Sequence, residues 1–534
     1  MKRKISIILI VFLGVLVSCT QKETTPPDIL LILVDDMGYS DLGCYGSEIQ
    51  TPNLDRLAAN GLRFTRFYNT ARCCPTRASL LTGLYPHQAG MGGMVKYKPA
   101  DETNPFQGYL NDQCVTLAEV LKTGGYQTYM SGKWHVGEFR PHWPVDRGFD
   151  DFYGIVSGAM NYWDITLAKR KGLVRTFARN DKAFVPKPGD FYSTDAFTDE
   201  AIRMLNDHTE LENECGKKIP FFTYVAYNAP HWPLHAPEEV VEKYLGNYME
   251  GWSELRKQRY QRMIELGLLD KKWQPSPRDG ADWDTLDEST RLVMDRKMAV
   301  YAAMIDRLDQ NIGNLVIKLE EMGRIRNTVI MFLSDNGACH ESGLLGNNFR
   351  PDLTGPIGTI NSYHSYGRSW SNASNTPFRL HKHWVHEGGI STPLIVHWPN
   401  GLKTKAGGLS NQPGHVIDIM ATCCELAGIS YPEQYKNIQI IPLEGQSLVP
   451  IFKGHERQGH EIIFWEHMGN MAVRNGPWKL VKTNNGEWEL YNIESDRTEL
   501  NNLSEDMPGK VQELIKIYNT KAAKTGMPVW KDEL

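Results

Sequence analysis

The chain has 534 residues, 41% hydrophobic and 23% charged, with a formal net charge of −5. That length exceeds one small core, so a large domain plus a smaller one is expected. The mild acidity and the lack of a long basic run argue against a nucleic-acid partner.

Lys2, Arg3 and Lys4 precede an apolar run from Ile5 to Val17. The run is short for a bilayer span and fits the core of an export signal. It ends Leu16-Val17-Ser18-Cys19, which resembles a bacterial lipobox. On that reading residues 1–18 are a leader and Cys19 carries a lipid on the bacterial cell envelope. Residues 19–27 are then the lipidated end and a tether closing at Pro26-Pro27. An ordinary signal peptide cleaved nearby is the other reading. The remaining cysteines suggest neither a disulfide framework nor a paired CxxC zinc site.

Ile29 to Val34 is a continuous apolar run, as in a strand buried on both faces, and it ends at Asp35-Asp36. A helix is predicted over Thr51 to Asn60, then a strand over Arg63 to Tyr68. A helix over Leu117 to Lys122 precedes a strand over Tyr126 to Met130, which runs into Lys133 and His135. A helix with a side-chain cap is predicted from Ser193 to Asn206. Pro220 to Ala226 is a strand leading to Asn228 and His231. The helix Thr290 to Met322 carries Ile305, Leu308, Ile312, Leu315 and Leu319 on one stripe. A strand over Thr328 to Leu333 ends before Asp335 and Asn336. Pro393 to His397 is a further strand and Val416 to Leu426 a helix.

The alternation predicts an α/β fold over residues 28–435, a large mostly parallel sheet with helices on both faces. Ligands of such sheets gather at the carboxyl ends of the strands. Asp35, Asp36, Lys133, His135, His231, Asp335 and Asn336 all fall there. Past residue 436, four short strands between Glu461 and Asn492 and a helix from Pro508 predict an α+β subdomain with an antiparallel sheet. Residues 340–376, rich in Gly, Asn and Ser, read as a long functional loop.

Residues 73–83 read Cys73-Cys74-Pro75-Thr76-Arg77-Ala78-Ser79-Leu80-Leu81-Thr82-Gly83. This resembles the signature of the type I sulfatases, the arylsulfatase-like branch of the alkaline phosphatase superfamily, with Thr76 where Ser is usual. Asp35-Asp36-Met37-Gly38-Tyr39, Gly132-Lys133-Trp134-His135 and Asp335-Asn336-Gly337 are similar to further motifs of that family. So is the stretch from Pro377-Phe378-Arg379 through Lys382 to Glu387-Gly388-Gly389.

The resemblance implies an alkaline-phosphatase-like fold, a maturation enzyme that oxidises Cys73 to formylglycine, and one calcium ion. Asp35, Asp36, Asp335, Asn336 and the modified Cys73 would hold the metal; hard oxygen ligands suit calcium rather than zinc. A hydroxyl of the hydrated aldehyde, activated by the metal and Asp335, attacks sulfur and a sulfated enzyme forms. His135 takes the proton of the second hydroxyl and sulfate leaves as the aldehyde returns. Arg77 holds the diol. Lys133 and Lys382 clamp sulfate oxygens, and Lys382 or His231 protonates the leaving group. Three carboxylates outweigh one divalent ion, and the three cations correct the deficit.

Taken singly, Asp35-Asp36 reads as a turn, Lys133 and His135 as solvated loop residues, and His231 as packing against Trp232. Their company with the Cys73 signature gives them roles. Asn228, Tyr363, His364, His383 and His386 are candidates for lining the pocket or touching substrate. The implied substrates are sulfated carbohydrates, sulfated galactose foremost, together with aryl sulfates. Recognition is expected from residues 90–110, 154–165 and 340–376. Three other readings stand beside this one: a two-zinc phosphatase or phosphodiesterase of the same superfamily, an inactive glycan-binding lipoprotein, and a redox protein using Cys73-Cys74.

Overall fold

The computed structural model describes residues 25–96 and 104–530. The predicted leader, Cys19 and the start of the tether lie outside the described residues. Among those described, no helix is long and apolar enough to cross a membrane.

Eleven strands form the central sheet. In chain order they are β1 (Asp28–Val34), β2 (Leu62–Tyr68), β3 (Gln127–Gly132), β4 (Asp151–Ile155), β5 (Phe177–Arg179) and β6 (Lys182–Ala183). Then come β7 (Phe221–Ala226), β8 (Thr328–Ser334), β9 (Ser391–His397), β10 (Gly408–Ser410) and β11 (Gly414–His415). Their order across the sheet is β10-β2-β9-β8-β1-β7-β3-β4-β5-β6, with β11 also on β2. The run β8-β1-β7-β3-β4 is parallel throughout. β9 is antiparallel to both of its neighbours, β2 and β8.

β1 shows why its sequence is apolar without alternation. Leu30, Ile32 and Val34 enter the core on one face, and Ile29, Leu31 and Leu33 enter the core on the other. The first core is covered by the helix Glu288–Glu321, whose predicted stripe is fully buried. The second is covered by α1 (Cys73–Thr82), by Leu117–Thr123 and by Asp418–Ala427.

Four antiparallel strands between Ile462 and Asn492 form a second sheet, backed by the helix Pro508–Thr525. Its other face meets the main body through Trp465, Ala472 and Val481 against Tyr68, Ala71 and Ile390. A buried ion network crosses the same junction. Lys479 Nζ lies 2.9 Å from Glu387 Oε1 and 2.7 Å from Glu499 Oε1, and Arg497 Nε lies 3.3 Å from Glu387 Oε2.

Two elements depart from the sequence reading. The helix predicted over Ser193 to Asn206 runs on to Cys215 and has no side-chain cap. The Ser193 hydroxyl instead donates to Asn228 Oδ1 at 3.0 Å, so a tertiary bond replaces the local one. Residues 340–376 are not wholly loop, because Gly367–Ser374 is helical and buries Trp370.

Candidate active site

The parallel strands deliver the site. Asp35 and Asp36 follow β1, Lys133 and His135 follow β3, Asn228 and His231 follow β7, and Asp335 and Asn336 follow β8. These four strands are adjacent in the sheet, so their carboxyl ends share one edge. β2 points the same way and leads to α1, which starts at Cys73. Lys382 arrives differently: it precedes β9, and an antiparallel strand begins at the edge where the others end.

Ligand atoms of Asp35, Asp36, Cys73 and Asp335 lie within 4.8 Å of one another, all buried. Asp35 Oδ1 and Asn336 Oδ1 are buried without a hydrogen-bond partner. Two orphaned buried oxygens beside three carboxylates are costly unless a cation meets them, so the donor set fits a hard metal ion. Asp36 takes a left-handed backbone at φ 69°, a strained conformation for a non-glycine residue. Gly132 has φ 116°, and a Cβ there would lie 2.0 Å from the Ala226 carbonyl oxygen. The glycine therefore allows the close crossing from which Lys133 N donates to that same oxygen at 2.7 Å.

Cations answer the carboxylates one by one. Lys133 Nζ lies 2.5 Å from Asp35 Oδ2, and Lys382 Nζ lies 2.7 Å from Asp36 Oδ1. Arg77 donates to Asp335 Oδ2 from Nη2 at 2.8 Å and from Nε at 3.1 Å. Its Nη1 donates to the Lys133 carbonyl at 2.9 Å. The guanidinium expected to hold the nucleophile is thus committed to Asp335 and to the Lys133 backbone.

Burial alone would raise the Asp35 carboxyl, but Lys133, His231, Arg77 and Lys382 together hold it far below the usual range. Asp335 goes the other way, to about 7, through burial and the neighbouring Asp35 charge. Burial opposes charge on Lys382, yet Asp36 and the cysteines beside it push its ammonium well up. Burial raises the Cys73 thiol to about 11, against the pull of Lys382 and Lys133.

His135 is held neutral by burial and by Lys133 and Arg77, and its Nδ1 has no partner. Burial also lowers His231, whose Nδ1 faces the Trp232 carbonyl at 2.5 Å and whose Nε2 lies 3.4 Å from Asp36 Oδ2. A neutral base and a second imidazole on a carboxylate suit proton transfer in two directions.

The weaker candidates divide. Asn228 braces the site by accepting from Ser193, and Tyr363 packs beneath Trp232. His364 lies beside His235 and Lys297 rather than at the carboxylates. His383 meets His467, and His386 meets Glu489, both toward the second sheet. Sequence reasoning missed Gly158, where a Cβ would lie 2.7 Å from His135 Nε2. A lone glycine in a loop carries no signal of the side chain it makes room for.

A mostly parallel sheet that gathers oxygen ligands, three buried cations and two histidines at one edge is the kind of site that suits a hydrolase of anionic esters. Residues 27–429 match the Sulfatase family, and residues 378–524 match the N-sulphoglucosamine sulphohydrolase C-terminal family. The chain belongs to the sulfatase family and is a sulfuric ester hydrolase. It is 35% identical to an arylsulfatase of Klebsiella aerogenes over 439 residues, 80% of this chain and 92% of that one. It is 27% identical to an N-acetylgalactosamine-6-sulfatase of Canis lupus familiaris over 462 residues, 85% of this chain and 71% of that one. The crystal structure of Ps i-CgsB in complex with k-i-k-neocarrahexaose superposes with a TM-score of 0.68 at 27% identity, covering 95% of each chain.

Proposed function

We propose that this sulfatase works through formylglycine made from Cys73 and one calcium ion, and that it desulfates carbohydrates, sulfated galactose foremost, as well as aryl sulfates. The observation that carries the reading is the cluster of Asp35, Asp36, Asp335 and Cys73, with the orphaned oxygens of Asp35 and Asn336 beside it. Calcium takes oxygen ligands, so a thiol is the odd member of this set. Oxidation of Cys73 to an aldehyde and its hydration make the set all oxygen. The bound metal supplies Lewis acidity, and the hydrated aldehyde supplies an oxygen nucleophile.

The side chains account for the rest. Lys133 and Lys382, now paired with Asp35 and Asp36, lie where they can turn to the oxygens of an arriving sulfate. Arg77 fixes Asp335 in place. His135, neutral and unpartnered at Nδ1, can accept a proton. Lys382 and His231, both on Asp36, stand ready to protonate the leaving oxygen. Removing one such electrostatic donor costs roughly 100- to 1,000-fold in rate.

The carbohydrate assignment draws support from the names of the relatives, one an N-acetylgalactosamine-6-sulfatase and one solved with a neocarrahexaose. The leader and lipobox pattern supports export to the bacterial envelope on a lipid carried by Cys19, with maturation by a formylglycine-generating enzyme. A catalytic domain over 28–435 and a subdomain over 436–534 complete the reading. The test is mass spectrometry of the peptide spanning residues 71–77 from protein of the native host. Cys73 should be lighter than the thiol form and Cys74 unchanged, and calcium should raise the melting temperature of that protein. An unmodified Cys73 in active protein overturns the mechanism.

A further inference from the structure

Glu341 stands one residue away from the catalytic set on two sides. Its Oε1 accepts from Arg72 Nη2 at 3.1 Å, and Arg72 immediately precedes Cys73. Its Oε2 accepts from Trp232 Nε1 at 3.0 Å, and Trp232 immediately follows His231. The carboxylate therefore spans the rim between the nucleophile position and the proton donor. It is not sealed in, since the side chains of Glu341 and Arg72 keep 23% and 19% of their exposure. Each carboxylate oxygen has a lone pair beyond the bond it already accepts. Burial would raise this carboxyl, but Lys382, Arg72, His231 and Lys169 hold it far below the usual range. It is an acceptor at every working pH.

Its surroundings suit a hydroxyl-rich ring. Phe349 stacks on Trp232 with centroids 4.3 Å apart, and the Lys169 ammonium sits 4.6 and 4.2 Å over the two rings. With the sulfur of a sulfate ester at residue 73, this partly exposed rim beside it is open to the alcohol portion.

We propose that Glu341, anchored by Arg72 and Trp232 and flanked by Lys169 and Phe349, is a specificity-determining residue that accepts a hydroxyl hydrogen bond from the sugar bearing the sulfate. The proposal rests on the carbohydrate reading above. A flat aryl sulfate has no such hydroxyl, so the two substrate classes separate the effects.

The experiment compares kcat/KM of the wild-type protein and Glu341→Gln on 4-nitrophenyl sulfate and on the 3-, 4- and 6-sulfates of galactose. A hydrogen bond to a charged acceptor should make the preference for sugar over aryl sulfate fall about 10- to 100-fold in Glu341→Gln. If Glu341→Gln does not fold, Trp232→Phe, which keeps a smaller aromatic ring beside Phe349 and loses the N–H on Glu341, should shift the preference the same way. Equal losses on sugar and aryl sulfates mean that Glu341 is only a clamp between two loops, which overturns the proposal and spares the carbohydrate reading. A wild-type protein that cleaves the aryl sulfate and none of the galactose sulfates overturns both.

Discussion

Gly158 offers a sharp test of the role of His135. Replacing it by alanine places a methyl carbon 2.7 Å from His135 Nε2 and 2.9 Å from Cε1, where ordinary contact begins at 3.4 Å. The ring must therefore yield by about 0.7 Å, the difference between 3.4 and 2.7. It has little freedom to do so cheaply. His135 is 5% exposed, takes φ 60°, and its backbone N donates to the Val156 carbonyl at 3.1 Å. Misplacing a reacting group by about 1 Å costs on the order of 100-fold in rate, so Gly158→Ala should lower kcat on 4-nitrophenyl sulfate roughly 10- to 100-fold. KM should change little if Lys133 and Lys382 clamp the sulfate as proposed. The Gly158 backbone is not left-handed, so alanine adds no backbone strain there, and an unchanged melting temperature of Gly158→Ala would separate a displaced ring from misfolding. The double variant Gly158→Ala/His135→Ala should be no slower than His135→Ala alone. A Gly158→Ala enzyme keeping more than half of its kcat, or a double variant whose losses multiply, would refute the reasoning.

Two further predictions concern stability. Lys479→Met strips the cation from between Glu387 and Glu499, both fully buried, and should destabilise by about 3–5 kcal/mol in denaturant unfolding followed by tryptophan fluorescence. Adding Glu499→Gln restores neutrality and should recover most of the loss; a double variant no better than Lys479→Met removes the electrostatic explanation. His235 and His415, buried and neutral, are pushed down from 6.5 to about 3 by burial. Because the unfolded chain binds these protons first, the stability they confer is whole above pH 6.5 and drains away as pH falls toward 3. Between pH 7 and 5 the loss should be about 2 kcal/mol per histidine, and His415→Phe should flatten the pH dependence of the unfolding midpoint by that amount. An unchanged slope would show that His415 is not the group responsible.

What the sequence made legible follows the range of the forces involved. β1, β7 and β8 are read at once, because a strand covered on both faces leaves no place for polar residues. The polar residues at their ends are equally plain, since they interrupt those runs at one edge of one sheet. Even the helix Glu288–Glu321 declares itself by its period. The sequence is silent where a residue's meaning depends on a distant partner. Ser193 looks like a cap and serves Asn228 instead. Glu341 sits in a Gly- and Asn-rich stretch with no pattern, yet it is fixed by residues 269 and 109 positions away. Lys382 is the instructive middle case. Its motif marks it, but its arrival at the site depends on β9 running against the sheet, and nothing in Ser391–His397 distinguishes an antiparallel buried strand from a parallel one. The reversal puts the start of β9 beside the ends of β8 and β2 and brings Lys382 to Asp36. The same segment runs on to Glu387, which the second sheet grips through Lys479. The C-terminal sheet thus anchors the segment that brings Lys382 to Asp36, so the second sheet and the carboxylate cluster are mechanically joined.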